Sequence, residues 1–314
     1  MCQNLQTNKR QSVTVDPSKQ AGNRRRATEN LNKRLRGAMG QVKALVDSIP
    51  VRLSVQNSLK ANRNTYVWEM SPERQSQVDI RIRQIIDYWF QTQTPERPAR
   101  WFFNTYIDNA VTPAVADSVN NIKLLSQGMV STAQLDAVTV QSIFLQPQYR
   151  DVIGNIYGRV FNEMSGFSGD TATDLARVLS ESVMLGESAR KAKSRITKRF
   201  NVASSRAERI ARTEINRAYT VARAKASQVV ASNLDITVKL IHRSSLTLTT
   251  RFEHAQRHGK IYTVEEQNEW WSEGANRINC LCSINETVIG KDGKPRSRGL
   301  IEKLEKQRKA WAGG

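Results

Sequence analysis

GESARKAKSRITKRFNVASSRAERIARTEINRAYTVARAKAS, residues 186–227, and TTRFEHAQRHGKIYTVEEQNEWWSEGANRINCLCSI, residues 249–284, decide the fold. The first is helical. It reads as a short basic helix over 187–199, a joint at Asn201–Ser205, and a long helix from Arg206 to about Ser232. At about 100° per residue, Ala207, Ile210, Ala211, Ile215, Ala218, Val221, Ala222 and Val229 form one apolar arc. Glu214 and Lys225 fall inside the arc, while Arg206, Arg209, Arg217 and Arg223 fall outside it. A carboxylate in a buried stripe needs a partner, because an unpaired buried charge costs several kcal/mol.

Between the two segments the period changes. Ile236, Val238 and Leu240 alternate with polar residues, the first strand signature in the chain. Gly259-Lys260-Ile261-Tyr262 reads as a turn into a short strand, and Thr263-Val264-Glu265-Glu266 as a capping box opening a helix. Asn276–Ile284 reads as extended, IGKDGKPRSRG as a turn-rich linker, and Leu300, Leu304 and Trp311 as one face of a basic C-terminal helix.

Upstream, the chain is helical in pattern. Leu31, Leu35, Met39, Val42, Leu45 and Val46 recur at steps of three and four, and Pro50 ends that helix. Ser71-Pro72-Glu73, Thr94-Pro95-Glu96 and Thr112-Pro113 each read as a helix start. Val78, Ile82, Ile85, Ile86, Trp89 and Phe90 supply the second apolar stripe, and Trp68, Trp101, Phe102 and Phe103 sit at core spacing. Gly128 and Gly186 read as stops, with further helices over 131–145, 148–164 and 170–185. No strand is expected before residue 235. The expected fold class is mainly α: a helical N-terminal region followed by a small α+β C-terminal domain. The expected divisions are a flexible basic arm over 1–20, a helical region over 21–185, the α+β domain over 186–286, and a linker with a basic helix over 287–314.

The 314 residues hold 48 basic and 29 acidic side chains, a net charge of +19. Two segments carry most of the excess: residues 1–60 with 12 basic and 3 acidic, and 187–225 with the same numbers. Concentrated positive charge favours polyanions through counterion release, and a solvated face or an acidic protein partner is the alternative. The candidate contacts are Arg24, Arg25, Arg26, Lys33, Arg34, Arg190, Lys191, Lys193, Arg195, Lys198, Arg199, Arg206 and Arg209. No apolar run approaches the length of a membrane span, and MCQNLQTNKRQSVTV has no apolar signal core, so the chain is expected to stay where it is made. Cys2, Cys280 and Cys282 do not make a disulfide framework.

His254 and His258 stand four apart, on one face of a helical turn. In an extended segment Cys280 and Cys282 point the same way. Two imidazoles and two thiols are the ligand set of a closed structural zinc site. The alternative is two small buried cysteines and two hydrogen-bonded histidines. A metal-dependent nuclease could combine His254, His258, Glu214 and Arg251 in a basic cleft. No phosphate-cradling loop, nucleophile elbow or His-Glu-x-x-His accompanies them.

The order of these features resembles the Mu F-like family of tailed-phage minor head (head morphogenesis) proteins. Arg212-Thr213-Glu214 match the family's helix motif. Thr250, Arg251 and His254, followed by Gly259-Lys260, match the second half of its middle motif. Asn279, Cys280 and Cys282 match its closing Asn-Cys-Arg-Cys. Thr247 stands at the family's Asp position, Thr249 at its first Arg, and Leu281 between the cysteines. The resemblance covers about residues 175–286. It implies a structural protein and adds no catalytic mechanism. The implied place is the virion, in the capsid interior or at the portal vertex, with the host cytoplasm during assembly. The implied partners are the portal protein, other capsid or scaffolding proteins, and non-specific double-stranded DNA; no membrane is implied. Arg212, Thr213, Glu214, Arg251 and His254 are then expected to form an internal clamp, Glu214 pairing with Arg251 or His254 to join the long helix to the small sheet. A plain DNA-binding protein outside the capsid is the remaining alternative.

Overall fold

The computed structural model describes residues 16–54, 65–90 and 100–313. Residues 1–15 of the expected arm, Cys2 among them, and the Thr94-Pro95-Glu96 helix start lie outside the described residues. The described residues are 71% helical, with a small sheet in the C-terminal part. The chain divides into two compact units that are discontinuous in sequence. One takes in Met1–Arg24, Thr105–Tyr157 and Arg212–Gly314, the other Arg25–Asn104 and Gly158–Ala211.

The second of these units is built on α1 (Ala21–Asp47), α2 (Pro72–Phe90) and parts of two long helices. Leu31, Leu35, Val42 and Val46 of α1 are buried, with Val78, Ile82, Ile85, Ile86 and Phe90 of α2, as the apolar spacing requires. Phe90 meets Phe167 edge to face at 5.2 Å. Trp68, Phe102 and Phe103 are core residues, as expected. Contrary to expectation, strands precede residue 235. β1 (Val51–Leu53) and β2 (Tyr66–Trp68) pair antiparallel, Val51 opposite Trp68. Three residues are too few to display an alternating pattern. Tyr66 donates its N–H to the Gly186 carbonyl and Trp68 its indole N–H to that of Glu187. Gly186 has φ +60°, and a Cβ there would lie 2.6 Å from the Thr65 methyl, so the expected helix stop is also a close backbone approach.

The long helices correct four further expectations. α3 (Arg100–Phe102) and a π-helical turn, Phe103–Ile107, lead into α4 (Asp108–Ser126), which holds Pro113 inside it rather than at its start. The segment 131–145 is two helices, α5 (Thr132–Ala137) and α6 (Val140–Leu145), because Ser131 and Thr139 each make a capping box. α7 (Pro147–Met184) runs through Gly166 and Gly169, with Thr171 and Thr173 hydroxyls bonding the carbonyls of Phe167 and Gly169. α8 (Ala189–Leu234) is one 46-residue helix, so Asn201–Ser205 is no joint. That stretch holds neither Gly nor Pro, and Ala203 is buried in its middle.

The first unit contains the three-stranded antiparallel sheet β4-β3-β5: β3 (Val238–Arg243) lies between β4 (Ile261–Tyr262) and β5 (Ser283–Val288). Between the strands run α9 (Phe252–Gln256) and α10 (Val264–Ser272), the latter opened by the Thr263–Glu266 capping box. α11 (Arg298–Gly313) closes the chain, burying Leu304 and Trp311. Asp16–Gln20, the described end of the expected arm, are tied down: Asp16 accepts from the Ala21 N–H and from the Ser18 hydroxyl, and pairs with Arg24. No helix among the described residues is long and apolar enough to cross a membrane.

Candidate metal centre and motif lock

From Arg212 onward α8 carries a second stripe beside its apolar arc. Thr213, Asn216, Thr220 and Arg223 follow at steps of three, four and three, and all are buried. Buried polar groups on a helix need fixed partners. The segment 277–286 supplies them. Asn279 donates its N–H to the Thr213 hydroxyl at 3.0 Å. The Asn216 amide donates to the carbonyls of Cys280 at 3.1 Å and Cys282 at 2.8 Å. Arg277 donates to the Thr220 hydroxyl and lies over the Trp271 ring.

Arg223 closes the stripe. Its Nε and Nη2 each reach one Glu286 carboxylate oxygen at 2.8 Å, a bidentate pair. Arg223 is 4% exposed and Glu286 fully buried. Asn121 of α4 also donates to Glu286, at Oε2 and at the backbone carbonyl. Arg223 Nη1 bonds the Tyr219 hydroxyl, which donates to Asp117 at 2.7 Å. Burial disfavours the guanidinium charge, but the Glu286 carboxylate beside it more than offsets this and holds the Arg223 pKa above its ordinary value. Arg223 lies outside the apolar arc, as its position in the sequence requires. It is the buried cation that joins α4, α8 and β5.

Cys280-Leu281-Cys282 is not a strand. It lies in the irregular stretch just before β5, after a turn in which Asn279 adopts φ +55°. Asn is among the few residues that take this left-handed conformation readily. Arg251 donates both terminal nitrogens to the same turn, at the carbonyls of Ala275 and Ile278, each at 2.6 Å. Glu214 is 3% exposed on the arc, as its position requires. Arg212 is half-buried one turn before Asn216.

His254 stands beside the cysteines. Its Nδ1 lies 3.3 Å from Cys282 Sγ and 3.4 Å from Cys280 Sγ. The three ligand atoms lie within 4.8 Å of one another, and all three residues are buried. The contact between the sulfurs holds the Cys280 thiol well below its ordinary pKa. The same contact, with burial, pushes Cys282 well above.

His258 does not join them. Its Nδ1 accepts the Ser244 N–H at 2.9 Å and its Nε2 faces Gln307 Oε1 at 3.2 Å. Three of the four expected donors therefore converge, because the helical turn carrying both histidines aims them at different neighbours. Burial lowers the pKa of His258 to about 4. His242, the third histidine, is fully buried on β3 against Gln267 and the Trp270 ring, and burial lowers it to about 3.

The basic candidates separate into two groups. Arg24 is buried against Asp16, and Arg34 lies over Trp101 and bonds the Trp89 carbonyl. Lys191 pairs with Glu187, Lys193 with Asp47, Arg195 with Glu181 and Glu187, Arg199 with Asp174, and Arg206 with Asp170. These are ion pairs within the chain, and Lys191 remains exposed in its pair. Arg25, Arg26, Lys33, Arg190, Lys198 and Arg209 are exposed, Arg25 beside Glu29. The nuclease constellation does not form an accessible cleft: His254, His258 and Glu214 are each 3% exposed.

A helix, a small antiparallel sheet and a closing loop fastened by buried polar groups define a structural domain. Residues 173–285 match the family model described as Phage Mu protein F like protein, which supports the resemblance to the Mu F-like phage family and the coarse class of phage head morphogenesis protein. Comparison with curated proteins and with solved structures gives no significant match.

Proposed function

We propose that this chain is a minor head protein of a tailed bacteriophage. It acts in head assembly near the portal vertex and in DNA packaging or ejection. The observation that carries this reading is the family match over residues 173–285. Within that stretch the helix motif at Thr213 and the closing motif at Asn279–Cys282 are bonded to each other, so the motifs serve the fold. The portal protein and other capsid or scaffolding proteins are the partners. Mass spectrometry of purified heads, with and without portal, tests this. The chain is expected in normal heads and depleted in portal-less ones; absence from both proheads and virions would overturn the proposal.

Double-stranded DNA is the second partner, contacted without sequence preference. The exposed cations Arg25, Arg26, Lys33, Arg190, Lys198 and Arg209 support it. If about five phosphates are neutralised, affinity should weaken roughly 10²–10³-fold between 50 and 200 mM salt. Fluorescence anisotropy with two unrelated duplexes should give the same slope for both. An affinity indifferent to salt would rule out this contact.

A further inference from the structure

We propose that His254, Cys280 and Cys282 bind one zinc ion, His254 coordinating through Nδ1 and a water-derived oxygen taking the fourth position. Zinc–sulfur and zinc–nitrogen bonds of about 2.3 and 2.05 Å in a tetrahedral site place the nitrogen about 3.5 Å from each sulfur. The observed 3.3 and 3.4 Å are within a few tenths of an ångström of that value. The donors come from α9 and from the loop before β5, so chain proximity alone does not account for the convergence. Thiolate and imidazole together select a soft divalent ion over magnesium or calcium.

The surroundings are those of a built site. Metal ligands are held by second hydrogen bonds that fix their orientation. Here the Asn216 amide holds the carbonyls of both cysteines, and the Cys282 N–H donates to Cys280 Sγ at 3.3 Å. Cys280 is 5% exposed and Cys282 2% exposed, in an apolar cluster with Leu240, Val264, Trp271 and Ile284. Charge also balances. Binding one zinc ion forms two zinc–sulfur bonds and releases two thiol protons to solvent, and two thiolates with a neutral imidazole leave the buried site without net charge. His258, with both ring nitrogens already engaged, is left out. The ion would fasten α9 to the loop that α8 grips through Thr213 and Asn216. The site stands whether or not the protein acts in a phage head.

The test uses the full chain purified under reducing conditions. Elemental analysis should find one zinc per chain. Cobalt exchanged for zinc should show thiolate-to-cobalt charge-transfer absorption, and X-ray absorption should resolve two sulfur and two lighter ligands. His258→Gln should keep the metal, whereas His254→Gln and Cys280→Ser should weaken binding by more than about 100-fold. Should those variants fail to fold, titrating the chelated wild-type chain with cobalt while measuring released protons gives the same answer. No metal in the reduced protein, cobalt absorption lacking sulfur bands, or a Cys280–Cys282 disulfide in the native chain would overturn the assignment. So would loss of the metal in His258→Gln.

Discussion

Glu286→Ala is expected to destabilise the first unit, which holds the three-stranded sheet, by about 3–5 kcal/mol, the cost of leaving a buried charge without its partner. Every oxygen of that carboxylate is in use. Arg223 takes one through Nε and the other through Nη2, and Asn121 shares the second. With the carboxylate gone, Arg223 keeps its charge at 4% exposure, with Asp117 the nearest remaining anion at 3.7 Å. The guanidinium cannot escape by losing its proton. Urea denaturation of wild type and Glu286→Ala, followed by Trp fluorescence, measures the difference. The control is the double replacement Arg223→Met with Glu286→Leu, which removes both charges at similar volume. Apolar replacement of a buried pair is often neutral, so the double variant should recover most of the loss. A Glu286→Ala chain within about 1 kcal/mol of wild type would show that water or Asp117 already satisfies Arg223.

That pair also shows where sequence reasoning stops. Helix ends were legible because they are local chemistry: Pro50, Gly128, Gly186 and the Thr263–Glu266 box stand at or beside the boundaries observed. The α1 stripe was legible because burial follows the helical period. So was the meeting of His254 with Cys280 and Cys282, although its fourth member was not, since which neighbour a helical histidine faces is set by tertiary packing. Arg223 was missed for a different reason. A charged residue at the margin of an apolar arc reads as solvated, and its partner lies 63 residues away. Yet the signal existed. Thr213, Asn216, Thr220 and Arg223 keep helical period as polar residues beside an apolar arc, and a second stripe of that kind marks a helix buried on more than one side. Asn201–Ser205 is polar but holds neither Gly nor Pro, so nothing in it breaks the helix.

The same burial makes the first unit sensitive to acid. His242 and His258 are lowered to about 3 and about 4, from the ordinary 6.5, by desolvation. His242 faces Gln267 and, among charged or titratable groups, Arg257, His254 and His258. His258 faces Gln307 and the Ser244 N–H, with Arg243 and Arg308 the nearby cations. None of these neighbours offers a carboxylate to a protonated ring. Between pH 6.5 and the folded values the unfolded chain therefore binds protons that the folded chain refuses. Stability is complete above pH 6.5 and falls as the pH drops below it, at about 1.4 kcal/mol per pH unit for each histidine. From pH 7 to pH 5 the pair should cost about 4 kcal/mol. Denaturation midpoints at the two pH values measure the total. His258→Gln, whose amide can keep the bonds to Ser244 and Gln307, should remove about half of the drop, and because any metal bound at His254 is common to both proteins, the difference isolates His258. A midpoint that does not move between pH 7 and pH 5 would mean that both rings are hydrated in the folded protein.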